Sequence, residues 1–305
     1  MEAKSMRKMI KYNRAETRTA WLCLLPSVIG LLCITYLPML ASFTLSLFDW
    51  NGLGAMKFVG LNNYIRLFTK DTKFYASLWT TLQYAAMSVA GSIIYSMAIA
   101  LLLNRKVPAR GFFRAVFYLP YVLPALAVYL GWKWLYDYNH GFFNYVIKSM
   151  GGTAVKFLDV STMVTPSLAL IAVWLSGNLI VIFLAGLQNV PRTYHEAAEI
   201  DGANAWQRFW KITIPCMTPI IFYNLLMSLV SNLQVITPAL SLTKGGPGTG
   251  SYYMCYMLYT QAFKSHKYGY GSAIAVILFI LIAIFTGILF TTSKGWIFYE
   301  GDDKA

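Results

Sequence analysis

Six stretches of this 305-residue chain contain no Asp, Glu, Lys, Arg or His: residues 19–48, 74–104, 115–132, 160–191, 212–243 and 268–293. Crossing the hydrocarbon core of a bilayer takes ~20 apolar residues at ~1.5 Å of helix rise each. Every run is long enough, the third by extending across Lys133. Lipid cannot satisfy free backbone N–H and C=O groups, so each run is expected to be helical. Buried helices of a soluble protein would carry polar faces at a 3.6-residue period, and these runs mostly lack them. Hydrophobic residues make up 57% of the chain and charged residues 12%. That charge content is about half the ~25% usual for soluble domains, and it argues against soluble, disordered and nucleic-acid-binding classes. The expected fold is an all-α membrane protein with six transmembrane helices over residues 19–293, flanked by a basic segment 1–18 and a tail 294–305.

Orientation follows from the basic residues in the connections. With the N-terminus in the cytoplasm, inner segments hold fifteen: six before residue 19, four from Arg105 to Arg114, three from Arg192 to Lys211, then Lys294 and Lys304. Outer segments hold nine, spread over longer loops, and Lys133 sits among Trp132, Trp134 and Tyr136 as in an interfacial belt. Both termini are therefore expected in the cytoplasm. The first run is much longer than the ~7–15 residues of a signal-peptide core, so an uncleaved anchor is expected. The outer connections, roughly 49–76, 137–163 and 238–271, are too short for independent domains. Any energy source or ligand-capturing module is expected on another chain.

The connection 192–211 is longer than a turn requires. Thr193 with Glu196 three residues on reads as a capping box, and Gly202 suits a left-handed helix exit. A short helix across the inner face is predicted. Within it, Glu196-Ala197-Ala198, then Gly202, Ile212 and Ile214-Pro215 at their spacing, resemble the EAA loop of binding-protein-dependent ABC importer permeases. Ile214 stands where the family usually has Leu, a volume-conserving change. Phe58-Val59-Gly60-Leu61-Asn62-Asn63-Tyr64, Phe117-Tyr118-Leu119-Pro120, Leu242-Thr243-Lys244-Gly245-Gly246-Pro247 and Tyr268-Gly269-Tyr270-Gly271-Ser272-Ala273 are similar to the carbohydrate-uptake branch, the maltose and multiple-sugar membrane subunits.

The resemblance implies a type I importer permease of the bacterial inner membrane, with Glu196, Ala197, Ala198 and Gly202 docking a cytoplasmic ATPase. It also implies four kinds of partner: a second homologous permease, two ATPase subunits, an extracytoplasmic sugar-binding protein and a carbohydrate substrate. ATP and Mg would belong to the ATPase, leaving this chain non-catalytic and without a cofactor. A self-sufficient secondary carrier of a neutral solute is the rival. It should show repeated halves or an ionisable coupling residue at membrane depth, and neither is seen.

Other motifs carry less. Lys244 to Ser251 is glycine-rich, but Lys comes first and the loop faces outward, unlike a phosphate-binding loop. His140, His195 and His266 fall in separate loops and suggest no metal site. Cys23, Cys33, Cys216 and Cys255 include no C-x-x-C pair and are expected to be buried thiols. Within helix five, Asn224, Ser228, Ser231, Asn232 and Gln234 lie within about 80° of one direction at ~100° per residue. Ser167, Trp174 and Asn178 share a stripe in helix four. Such stripes either glue helices together or line a wet path in which amides bond sugar hydroxyls and rings cover sugar faces. On the second reading Trp174, Asn178, Asn232 and Gln234 are the candidate path residues.

Overall fold

The computed structural model describes residues 14–105 and 108–298. Most of the basic N-terminal segment, Lys106 and the end of the C-terminal tail with Lys304 lie outside the described residues. The chain opens with α1 (Arg14–Gly30) and α2 (Leu37–Leu45), joined by a π-helical turn at Leu31–Tyr36 into one span, Thr17–Leu45. This span stands at the edge of the molecule, touching the rest through α2, where Phe43 meets Phe279 edge-on at 5.6 Å. A short antiparallel pair follows, β1 (Phe48–Asp49) and β2 (Lys57–Phe58), then α3 (Asn62–Thr69). The Asn63 amide locks this cap by donating to the carbonyls of Ser46 and Phe48 at 2.8 and 2.9 Å.

At the centre stands α4 (Thr72–Asn104), started by Asp71, whose carboxylate accepts the Lys73 amide at 3.0 Å. Next come α5 (Arg110–Val122), α6 (Ala125–Leu135) and the short helix α7 (Phe142–Ser149), then α8 (Ser161–Trp174) and α9 (Gly177–Asn189). The connection after α9 holds α10 (Arg192–Ile200) and α11 (Ala205–Arg208), which runs through a π turn into α12 (Ile214–Leu233). The short helix α13 (Met254–Tyr259) and the last span α14 (Tyr268–Ser293) follow. α4 packs against α8, α9 and α12, while α14 packs against α2, α12 and α13. Serines let these backbones approach. Ser96 of α4 bonds the Ser176 hydroxyl at 2.9 Å between α8 and α9, the small-polar contact common between membrane helices.

Four single helices are long and apolar enough to cross a membrane, and two bent pairs bring the spans to six among the described residues. The bends correct the expected straight spans. The third run does extend across Lys133, within α6, but it is not one helix: α5 and α6 meet at 98°. Leu123 is extended, with φ −68° and ψ 145°, because the ring of Pro124 disfavours helical geometry in the residue before it. The fourth run is bent by 48° between α8 and α9. The fifth helix is shifted: it begins at Ala205, takes in Arg208 and Lys211, and ends at Leu233 rather than near 243. Cys23 and Cys33 are exposed, not buried, because α1 and its π turn have no neighbours on most sides.

Candidate functional site

The breaks converge. Leu175 and Ser176 at the bend of the fourth span, Ala125 at the start of α6, and Gln234 to Pro238 just past α12 all border one cavity of 560 Å³. Irregular backbone at membrane depth is tolerated where it is buried in protein or lines such a space. Gly177 permits the bend: a Cβ there would come within 2.6 Å of the Phe117 carbonyl oxygen, so α9 can start against α5 only without a side chain.

No charged residue and no histidine lines this cavity. Its polar wall includes Asn178, Ser228, Ser231, Asn232, Gln234 and Thr237, and its aromatic wall is Tyr84, Tyr121 and Tyr129. Tyr84 is held from behind by Tyr253, ring centroids 5.0 Å apart. Asn232 donates through Nδ2 to the Ser228 carbonyl at 2.8 Å and lies 3.2 Å from the Ser228 hydroxyl. This fixes the amide while Gln234 and Ser231 stay exposed. Neutral donors and acceptors facing aromatic rings suit a hydroxyl-rich, uncharged solute, whereas an ion would find no counter-charge.

Of the four candidate path residues, Asn178, Asn232 and Gln234 meet at this cavity and Trp174 does not. The Trp174 indole packs edge-on against Trp132 at 5.6 Å and faces a separate apolar groove that includes Phe143 and Trp134. Asn224 also lies apart, fully buried in α12 with neither amide atom bonded. Sequence reasoning missed the three tyrosines. The Leu-Pro steps at 119–120 and 123–124 were the available signal that the chain around Tyr121 leaves the straight path of a span.

At one end of the bundle α10 projects with no buried residue, and Glu196, Ala197 and Gly202 are exposed while Ala198 is half-buried. The expected Thr193–Glu196 capping box is absent. α10 starts earlier, with Pro191 as its N-cap and no side-chain cap, which puts Glu196 beyond the first turn. The capping box forms at the next helix, where Asn204 and Gln207 exchange side-chain-to-backbone bonds of 2.9 Å. The Gly202 exit is as expected: φ is 78°, its amide donates to Glu199 O at 3.0 Å, and the Ala203 amide donates to Ala198 O at 2.8 Å. These paired bonds close the end of α10 around a left-handed glycine. An ion pair from Arg208 to Glu199 ties α10 to the base of α12. Ile200 stands at the tip, 88% exposed. Among the described residues there is no cluster of His, Cys, Asp and Glu able to hold a metal ion.

A six-span bundle with broken helices around a neutral cavity is the architecture of a membrane permease. Residues 93–295 match the family described as binding-protein-dependent transport system inner membrane component, and the chain belongs to that family. It is a multi-pass, non-catalytic permease subunit of the ABC class, without a cofactor of its own. The chain is 36% identical to the probable ABC transporter permease protein YesP of Bacillus subtilis, with 95% of each chain covered. It is also 36% identical to the multiple sugar-binding transport system permease protein MsmF of Streptococcus mutans, over 90% of this chain and 94% of that one. A crystal structure of a bacterial ABC transporter that imports the acidic polysaccharide alginate contains a chain with the same fold. Its TM-score is 0.79 at 20% identity, covering 90% of this chain and 95% of that one.

Proposed function

We propose that this chain forms half of the translocation path of an ATP-driven importer of neutral sugars, in the size range of oligosaccharides. The observation that carries this reading is the uncharged cavity of polar amides and tyrosines at the meeting point of the helix breaks. The names of its sugar-transporting relatives support the substrate class. A second homologous permease would close the open side of the cavity, where Ser231 and Gln234 are exposed. Two cytoplasmic ATPase subunits would grip α10 through Glu196, Ala197, Ala198 and the exposed Ile200, with Gly202 setting the angle of the exit. An extracytoplasmic binding protein would deliver the sugar to the outer loops. Closure of the ATPase pair would push α10, and the Glu199–Arg208 pair would pass that displacement to α12, whose far end carries Asn232.

The test is uptake into proteoliposomes holding the complete complex and its binding protein. Neutral oligosaccharides should accumulate only with ATP and with this chain present. Accumulation of an amino acid or inorganic ion instead, with no sugar taken up, would overturn the substrate class.

Both termini belong in the cytoplasm and the Gly245–Gly250 loop outside. Single cysteines placed at Gly248 and Ala203 in a cysteine-free background should therefore react with an impermeant thiol reagent from opposite sides of oriented vesicles. Labelling of both from one side would refute this orientation.

A further inference from the structure

Two guanidinium groups at the inner ends of the spans converge on one neutral acceptor. The amide oxygen of Gln188, near the end of α9, is assigned to face Arg114 Nη2 at 2.9 Å and Arg110 Nη2 at 3.1 Å, because the opposite orientation would set donors against donors. Arg110 also reaches Asn104 Oδ1, at the end of α4, at 3.4 Å. The ion pairs among the described residues are His140–Asp137 and Arg208–Glu199, so neither guanidinium meets a carboxylate of those residues. Both Nε atoms are buried with no hydrogen-bond partner. Two like charges sharing one neutral acceptor are mutually repulsive, and two buried donors are left unused.

We infer that Arg110, Arg114 and Gln188 form a site for a phosphate group, and that its source is the headgroup of an anionic phospholipid. Guanidinium forks match phosphate oxygens. The first turn of α5 adds backbone amides with no side-chain cap, since its N-cap is Ala109. The location selects the lipid source. These residues sit where three spans end, at headgroup level, and Phe112, Phe113 and Val116 lie exposed on the same helix as a surface for acyl chains. A basic pocket between span ends is a recurring form of headgroup recognition. The inference is independent of which sugar is carried.

The full chain, purified with the subunits that accompany it from its membrane, can be placed in phosphatidylcholine nanodiscs with or without phosphatidylglycerol. Native mass spectrometry should show phosphatidylglycerol retained on the wild-type complex and its affinity lowered roughly thirtyfold in Arg110→Gln/Arg114→Gln, with phosphatidylcholine unaffected. Gln188→Glu is the second variant. It supplies a carboxylate between the guanidiniums, so it should assemble normally, melt higher in pure phosphatidylcholine and lose the preference for phosphatidylglycerol. If millimolar inorganic phosphate stabilises the complex in pure phosphatidylcholine as well as the lipid does, the site takes free phosphate and the lipid assignment falls. Unchanged lipid retention in both variants would overturn the site, as would loss of a protein subunit from the double variant while lipid is retained.

Discussion

Ile200→Asp is expected to cut ATP-driven uptake roughly tenfold or more while leaving the membrane bundle intact. The side chain is 88% exposed at the end of α10, so the isolated chain gains nothing from it, and the melting temperature should not move. An isoleucine that becomes fully buried on docking contributes ~1.5–3 kcal/mol, and a carboxylate forced into the same apolar pocket adds a desolvation cost. At ~1.4 kcal/mol per factor of ten, even the lower figure reaches the stated loss. ATPase subunits should co-purify poorly with the variant while the second permease is retained. Gly202→Asp should act on the same step by another route. No atom lies within 4 Å of the added Cβ, so its cost is backbone strain at φ 78° and not a clash. Its effect on uptake should be smaller than that of Ile200→Asp. Normal uptake with Ile200→Asp would remove α10 from the docking surface.

The second large effect is expected at the cavity. Asn232→Ala with Gln234→Ala should weaken sugar uptake roughly tenfold, since each lost neutral hydrogen bond costs ~0.5–1.5 kcal/mol. Gln234 is exposed and Asn232 is bonded to its own helix through Ser228, so the folded complex should melt almost as the wild type does. Different sugars should be affected unequally, because each places its hydroxyls differently. Trp174→Ala is the contrast. It removes a ring packed on Trp132 and should lower thermal stability by a few kcal/mol, as large-to-small core changes do, with equal losses for all sugars. Equal losses for all sugars from the Asn232 and Gln234 changes, together with a lower melting temperature, would make those amides interhelical glue.

Uncharged runs made the spans legible because the bilayer excludes ionised groups wherever the chain crosses it. They concealed the breaks for the same reason, since a bend at Pro124 or Ser176 needs no charged residue. That explains the fate of the helix-four stripe. Ser167, Trp174 and Asn178 share a face only on a straight helix, and the 48° bend falls between Trp174 and Asn178, sending them to different sides. On α12 the stripe holds from Ser228 to Asn232 because that stretch is one unbroken helix. The inner loop was readable at Gly202, whose left-handed conformation has few alternatives to glycine, but not at Glu196. Pro191 supplies a helix start of its own and moves the cap away from Thr193. Ile200, between Glu199 and Asp201, has no sequence signature of its role, since exposure is a property of the folded loop.

The account rests on solute passing through the cavity at the helix breaks, and one measurement tests that directly. Ser231 lines the cavity and is exposed to it, so a single cysteine there in a cysteine-free chain is open to a bulky thiol reagent. Modification should abolish ATP-driven sugar uptake while ATP hydrolysis continues, and the transported sugar, delivered by its binding protein, should slow the modification severalfold. Full uptake by a completely modified complex, or a labelling rate indifferent to the sugar, would contradict it.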